Sequence, residues 1–443
     1  MANTYLTRTS STPTNALKWT YSVWVKIAGI ANDTFLLDFN TDGNNRSNIG
    51  FQEANDRFIV YEKVSGSTSQ LLETTQVFRD NSGWYNLVAS CDRTLATASD
   101  RTKIYVNGSR VTSFSTETQP TQNVTGIINT AVNTLIGKYS QSTLYFNGSL
   151  SHVHFIDGTA YDASYFGSTN SATGEWEINT SPTVTYGNNG FFILKDGNSI
   201  TDESGNANNF TLGGGTLTNT EDNPSNVFAI LNANANNQAN TVLTNGNLTH
   251  TDTGGSWLGA YTTLGAFTGK FYAEGKITDR MNYSFGVIQS GGDSVANINT
   301  ANNNLIGRWN DGWGFNGNNG TTNKLYHNNS TTDPYGEVFA DNDIFMIAVD
   351  VTGGKIYFGR NGTWFNSGNP ADGTNPAFTG ETFTDSVHFA SGMENGSLTW
   401  NFGNGFFGTT AISSEGTNAS GLGKFEYDVP TGYTALSTKG LNL

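Results

Sequence analysis

Apolar and polar positions alternate with a period of two through much of this chain, most densely between Asp343 and Trp364. There Phe345, Ile347 and Val349 alternate with Met346, Ala348 and Asp350, so the stretch is apolar on both sides until its last residue. In the stretch after it, Ile356 and Phe358 share one face while Lys355 and Tyr357 share the other, as successive side chains of a strand must. Gly353-Gly354 and Asn361-Gly362 separate these stretches and predict two-residue turns, because glycine and asparagine tolerate positive φ. The pattern predicts a buried antiparallel meander.

The same reading extends to both halves. Candidate strands in the first half are Trp19–Val25, Phe35–Leu37, Phe58–Tyr61, Trp84–Cys91, Lys103–Val106, Leu144–Phe146, Ser151–Ile156 and Phe191–Leu194, with a hairpin on Asn107-Gly108. In the second half Lys270–Ile277 alternates, with Phe271, Ala273 and Ile277 inward and Lys270, Tyr272, Glu274 and Lys276 outward; Trp400 and Phe402 share a face. Between Leu212 and Asn240 bulky apolar residues thin out, apart from the island Val227–Leu231. That island predicts docking on a neighbouring sheet, since Phe228 and Leu231 would be costly to expose. No recurrence at i, i+3, i+4 and no heptad is sustained, so helix is expected only as single turns. The fold class expected is all-β: a sandwich over residues 1–220, an Asn-rich connector over 221–239 and a second sandwich over 240–443.

Composition sharpens this. The 52 glycines, 12% aromatic and only 13% charged residues describe a turn-rich β protein. With 22 basic against 37 acidic residues, a formal charge of −15, the chain lacks the basic stripe a nucleic-acid partner requires. No apolar run approaches the roughly 18 residues of a membrane span. The opening MANTYLTRTSST lacks the apolar centre of a secretory signal, which predicts a protein made in a cytoplasm and not inserted into a membrane. One cysteine, Cys91, forms no internal disulfide; its place on the alternation of Tyr85, Leu87 and Ala89 predicts a small buried hydrophobe.

Three resemblances follow. Tyr21–Val25, Gly83–Val88, Lys103–Gly108 and Phe146–Leu150 resemble the laminin-G or concanavalin-A-like jelly roll. Gly269–Glu274, Tyr283–Val287, the 343–364 stretch and Asn366–Phe378 resemble SPRY domains, which implies two tandem sandwiches of concanavalin-A-like type. The strings YLTRTSS (5–11), ATASDRTKIYVNG (96–108), HVHFIDGTAYD (152–162), DESGNANNFT (202–211) and DNPSNVFAILN (222–232) are similar to virion proteins of tailed phages, a family common in phages of marine bacteria. This last resemblance implies a fibre, spike or decoration protein on a particle surface, made in a host cytoplasm and contacting other virion proteins. It also implies a homo-oligomer, with a trimer favoured by the symmetry of such sites.

Catalysis finds little support. The acidic E-x-D-x-x-E face of jelly-roll glycosidases, a G-x-S-x-G elbow and H-E-x-x-H are all missing. His152 and His154 share a strand face, a possible metal pair, but alternation gives the opposite face to Val153 and Phe155 and turns both histidines toward solvent or another subunit. Asp38-x-Asn40-x-Asp42-Gly43 looks like the opening of a calcium loop, although Ile49 stands where the bidentate glutamate would. No cofactor is required; calcium is the one candidate. A polar turn is the plainer reading of this string, and also of the cluster Asp196, Asn198, Asp202 and Asn206. Sugar recognition needs rings to stack on a pyranose and amides or carboxylates to bond its hydroxyls. Arg308, Trp309, Asp311, Trp313, Asp333 and Tyr335 offer such groups in predicted loops of the second half, and a host-surface glycan is their candidate ligand. The alternative is that Trp309 and Trp313 belong to the core. Three functions remain open: host recognition by a fibre or receptor-binding protein, decoration that binds only virion proteins, and polysaccharide depolymerisation.

Overall fold

The computed structural model describes residues 3–29, 34–52, 54–195, 197, 199–235, 240–298, 305–318 and 322–443. The chain divides into two compact units, Met1–Asn219 and Thr220–Leu443. Each is an antiparallel β-sandwich, as the alternation predicts, and the longest described helix is the five-residue Asp293–Asn297.

In the first unit an eight-stranded sheet runs Phe114–Thr118, Ser67–Val77, Arg57–Val64, Asn45–Gln52, Thr34–Asp42, Asn133–Ile136, Tyr5–Thr9, Thr211–Gly214 in spatial order. A six-stranded sheet runs Phe191–Ile193, Gly148–Asp157, Lys18–Ile27, Tyr85–Asp92, Thr102–Val106, Ser109–Arg110. Trp19, Tyr21, Val23 and Val25 point between them and meet Phe39, Ile49, Phe51, Phe58 and Val60 from the facing sheet. Cys91 is buried in this core, where burial raises its thiol pKa to about 11 and leaves it unreactive. Leu144–Phe146 is not a strand: a single bridge, Lys138 to Tyr145, closes a short hairpin there.

The second unit pairs a sheet running Thr241–Thr244, Thr249–Asp252, Ser397–Asn401, Lys270–Asp279, Ile344–Asp350, Lys355–Arg360, Thr363–Trp364 with a six-stranded one. The latter runs Leu258–Tyr261, Val387–Glu394, Asn282–Gln289, Gly312–Asn318, Thr322–His327, Ser330–Thr332. Ile344–Asp350 is buried on both faces for a definite reason. Phe345, Ile347 and Val349 enter the core between the sheets, while Met346 and Ala348 are covered by Phe228, Phe425, Val429, Tyr433 and Ala435. This outer layer corrects the expected exposure of the Lys270–Asp279 strand. Tyr272 and Glu274 lie beneath the layer, and Glu274 accepts the backbone N–H groups of Glu426 and Tyr427, each at 2.8 Å.

The described part of the 221–239 segment is integral to this unit. Phe228 bridges to Ser437 and Leu231 to Thr262, and Ile230 and Leu231 join the core. Asn236–Ala239 lie outside the described residues. Two of the three predicted turns have the expected form. Asn107-Gly108 (φ 45 and 79) and Asn361-Gly362 (φ 48 and 84) are two-residue turns of the mirror-image kind that suits strand twist. Gly353-Gly354 instead ends a four-residue loop, because Asp350 pairs with Lys355 and Val351 stays packed in the core.

Candidate functional site

The six residues proposed to touch a ligand in the second unit do not form one surface. Trp313 leaves the Gly312–Asn318 strand toward the core, stacked on His327 with ring centroids 4.9 Å apart. Tyr335 is also core, edge-on to Phe315 and Phe365. Asp311 is buried and accepts the N–H (2.9 Å) and the hydroxyl (2.7 Å) of Ser294, which fixes the start of the Asp293–Asn297 turn. The expectation that these three are contact residues is therefore corrected: an inward strand position or an internal hydrogen bond already engages each. Arg308 and Trp309 stay half-exposed, the guanidinium 5.8 Å from the indole ring, and Asp333 is exposed.

His152 and His154 do not face solvent. A register shift between Ser151 and His154, with His152 at φ 48, departs from simple alternation, and both rings are buried. His154 stacks on Phe192 with centroids 3.9 Å apart, its Nδ1 2.9 Å from the Tyr186 hydroxyl, and burial drives its pKa down. It is a neutral packing residue. Among the described residues no group of three or more His, Cys, Asp or Glu could hold a metal ion.

The Asp38-x-Asn40-x-Asp42 string lies on an extended strand, where positions four apart are separated by roughly 13 Å. Asp42 is exposed at the turn, its Oδ1 accepting the N–H groups of Asn44 (2.7 Å) and Asn45 (2.9 Å). Asp38 is fully buried and accepts the Ser140 N–H at 2.8 Å. The three side chains do not converge, and a cationic Arg46 stands beside Asp38, so this donor set does not fit calcium.

Three of the strings quoted above, 5–11, 152–162 and 202–211, have a structural use. Asp157 accepts from Thr14 N (2.6 Å), Asn15 N (3.1 Å), Asn189 N (3.1 Å) and Asn129 Nδ2 (2.7 Å). Asp202 accepts from Phe192 N (2.8 Å), Ser204 N (2.9 Å) and Asn208 N (2.8 Å). Arg8 donates to Asn208, and Asn206 donates to the Gly187 (2.6 Å) and Gly190 (3.0 Å) carbonyls. Segments 5–11, 152–162 and 202–211 are thus tied into one polar knot. Asp196 and Asn198 of that second oxygen-rich cluster fall outside the described residues.

A surface that the sequence reading passed over lies on the outer face of the eight-stranded sheet. The register Leu37–Ile49 and Asn40–Arg46 sets Asp38 beside Asn48, and Asn48 in turn pairs with Tyr61. The Arg46 guanidinium carbon lies 5.9 Å from the Tyr61 ring centre and 5.7 Å from that of Tyr139. Beneath it Asp38 Oδ1, Asn40 Nδ2, Asn48 Nδ2 and Arg46 Nε have no hydrogen-bond partner. Burial raises the Asp38 pKa to about 6, against the lowering pull of the Ser140 amide and hydroxyl, of Arg46 and of the neighbouring Asn40 side chain. The available signal was the alternation of Arg46, Asn48 and Gly50 opposite Ser47, Ile49 and Phe51.

Besides the buried contacts Ser151 Oγ–His152 Nδ1 (2.8 Å) and Ser391 Oγ–His250 Nδ1 (3.0 Å), a half-buried contact of nucleophile–base type is present: Ser386 Oγ lies 2.9 Å from His388 Nε2. It is incomplete, because His388 Nδ1 bonds the Thr262 carbonyl (2.8 Å) rather than a carboxylate, and Ser386 is also 2.8 Å from Ser290 Oγ.

Residues 2–164 match the family model of the concanavalin A-like lectin/glucanases superfamily. Among solved structures the chain is similar to the TRIM65 PSpry domain, at 15% identity over 39% of this chain and 91% of that one, with a TM-score of 0.29. It is likewise similar to the SPRY domain of human HERC1, at 15% identity over 36% and 91%, with a TM-score of 0.28. No curated protein matches the chain.

Proposed function

We propose that this chain is a non-enzymatic surface component of a tailed-phage particle that binds host-surface glycan. The observation offered in support of the particle assignment is the polar knot: Arg8 of the 5–11 string bonds Asn208 of the 202–211 string, 200 residues further on, and Asn189 links Ser11 to Asp157 of the 152–162 string. We read their resemblance to virion proteins as one of shared scaffold. The match of residues 2–164 to a superfamily of lectins and glucanases supports the sugar-binding half of the reading.

A second reading, decoration that contacts only virion proteins, is favoured by one finding. Burial of Trp313, Tyr335 and Asp311 removes half of the ligand residues expected in the second unit. Both readings meet in one experiment. Purified particles are probed by electron microscopy with an antibody to the chain, and the isolated protein is tested as a competitor of particle adsorption. Surface labelling together with reduced adsorption is the expected result. Labelling without competition supports decoration, and particles lacking the chain overturn the particle assignment.

A further inference from the structure

Resting on the glycan reading, we propose a saccharide subsite on the outer face of the first unit's eight-stranded sheet, where Asp38, Asn40, Arg46 and Asn48 bond the hydroxyls of one pyranose and Tyr61 and Tyr139 flank the ring. The carrying observation is the set of four polar groups without partners, gathered on two adjacent strands, Thr34–Asp42 and Asn45–Gln52. Asp38 and Asn48 are 0% and 3% exposed, and a buried polar atom left unbonded costs about 1–3 kcal/mol, so such groups call for an explanation.

The chemistry selects the ligand class. Three of the four free atoms are donors (Asn40 Nδ2, Asn48 Nδ2, Arg46 Nε) and one, Asp38 Oδ1, is an acceptor. A metal ion wants oxygens alone and is repelled by Arg46. A phosphate would meet the Asp38 carboxylate. Sugar hydroxyls both donate and accept: one can donate to Asp38 while its oxygen, or a neighbour's, accepts from Asn48. The two tyrosines are half-exposed, their ring centres 5.9 and 5.7 Å from the Arg46 guanidinium carbon, and offer ring faces against which a pyranose can pack. Entry requires the Arg46 side chain to swing off the two rings. Its anchors are the Gly43 carbonyl, the Tyr139 hydroxyl and the cation–π contacts.

Two sources could supply this sugar: polysaccharide of the infected cell's surface, or a glycan carried by another virion protein. The full-length protein is titrated with the purified cell-surface polysaccharide and, separately, offered to particles stripped of the chain before and after periodate oxidation. Wild type is expected to bind the polysaccharide, and Asn48→Leu and Tyr61→Ala each to weaken binding tenfold or more while still unfolding cooperatively. Should Asn48→Leu fail to fold, side-chain amide resonances of Asn40 and Asn48 in the wild type report instead; they shift on adding the polysaccharide if the subsite is real. Periodate-sensitive docking to particles without polysaccharide binding assigns the sugar to the particle. Variants that bind like wild type, or amide resonances that stay still, overturn the subsite while leaving the glycan reading intact. A wild type that binds neither source overturns both.

Discussion

Glu274 and His250 are buried in the second unit, and their protons respond to pH in opposite senses. Burial raises the Glu274 pKa to about 7, despite the donors Tyr427 N, Glu426 N and Tyr272 OH around it. Its contribution to stability is then present below the unfolded value near 4.5 and is lost as pH rises through 7. Burial lowers His250 to about 4, so its contribution is present above the unfolded value near 6.5 and is lost as pH falls through 4. Between pH 5 and 6.5 the two slopes, each up to about 1.4 kcal/mol per pH unit, nearly cancel. Chemical denaturation across this window should show it. Relative to wild type, His250→Gln should gain about 2 kcal/mol on acidification and Glu274→Gln should lose a similar amount. Parallel profiles for all three proteins would refute the assignment. Glu274→Gln should also lower stability at every pH, because its amide would present N–H donors to a backbone N–H.

At the scale of elements, the Asn107-Gly108 turn shows how much a dipeptide can specify and where it stops. The pair predicts the hairpin and its positive φ values, which the structure has. It does not predict that the Trp176 ring lies over Gly108, so that a Cβ there would fall 2.3 Å from Trp176 Cζ3. Gly108→Ala should therefore destabilise the first unit by about 2–4 kcal/mol, combining a left-handed alanine with overpacking. A thermal melt of the variant within a degree of wild type would show the ring to be free to move. Gly353-Gly354 failed as a two-residue turn for a similar reason, since Val351 has a core position that local preference does not encode. His152 and His154 failed because a bulge resets the alternation, and nothing in the residues themselves marks it.

Across the whole molecule, period-two patterning sufficed for the all-β class, and it placed Phe345, Ile347, Val349 and Cys91 in buried positions. What it could not supply was the layer outside the sheets. Whether Tyr272 faces water depends on Phe425 and Tyr433, more than 150 residues away in sequence, and that pairing leaves no periodic trace. Trp313 and Tyr335 failed as ligand residues on the same point, since aromatic side chains serve a core as readily as a ligand. The boundary has a testable consequence. A fragment of residues 220–443 keeps Phe228, Ile230 and Leu231, each fully or nearly fully buried, whereas 240–443 loses them. Removing buried side chains of this size costs about 2–5 kcal/mol each, comparable in sum to the whole stability of a domain. The longer fragment should melt cooperatively and the shorter one should be unfolded or aggregated. Equal melting midpoints for the two would show the 220–235 segment to be dispensable.

Both sandwiches are closed by pairing their own first and last segments. Tyr5–Thr9 lies against Thr211–Gly214, and Phe228 bridges to Ser437 with Thr434–Ala435 alongside Phe271–Tyr272. On the ribosome, then, neither sandwich can be closed when its opening segment emerges: Tyr5–Thr9 must wait first for Asn133–Ile136 and then for Thr211–Gly214, and Phe228 must wait for Ser437. Contacts so distant in sequence close slowly, and an early strand left with a bare edge meanwhile invites pairing with a neighbouring nascent chain. Synthesis rate and chaperone capacity in the producing cell, more than the final stability of the sandwiches, should therefore set the yield of assembled protein.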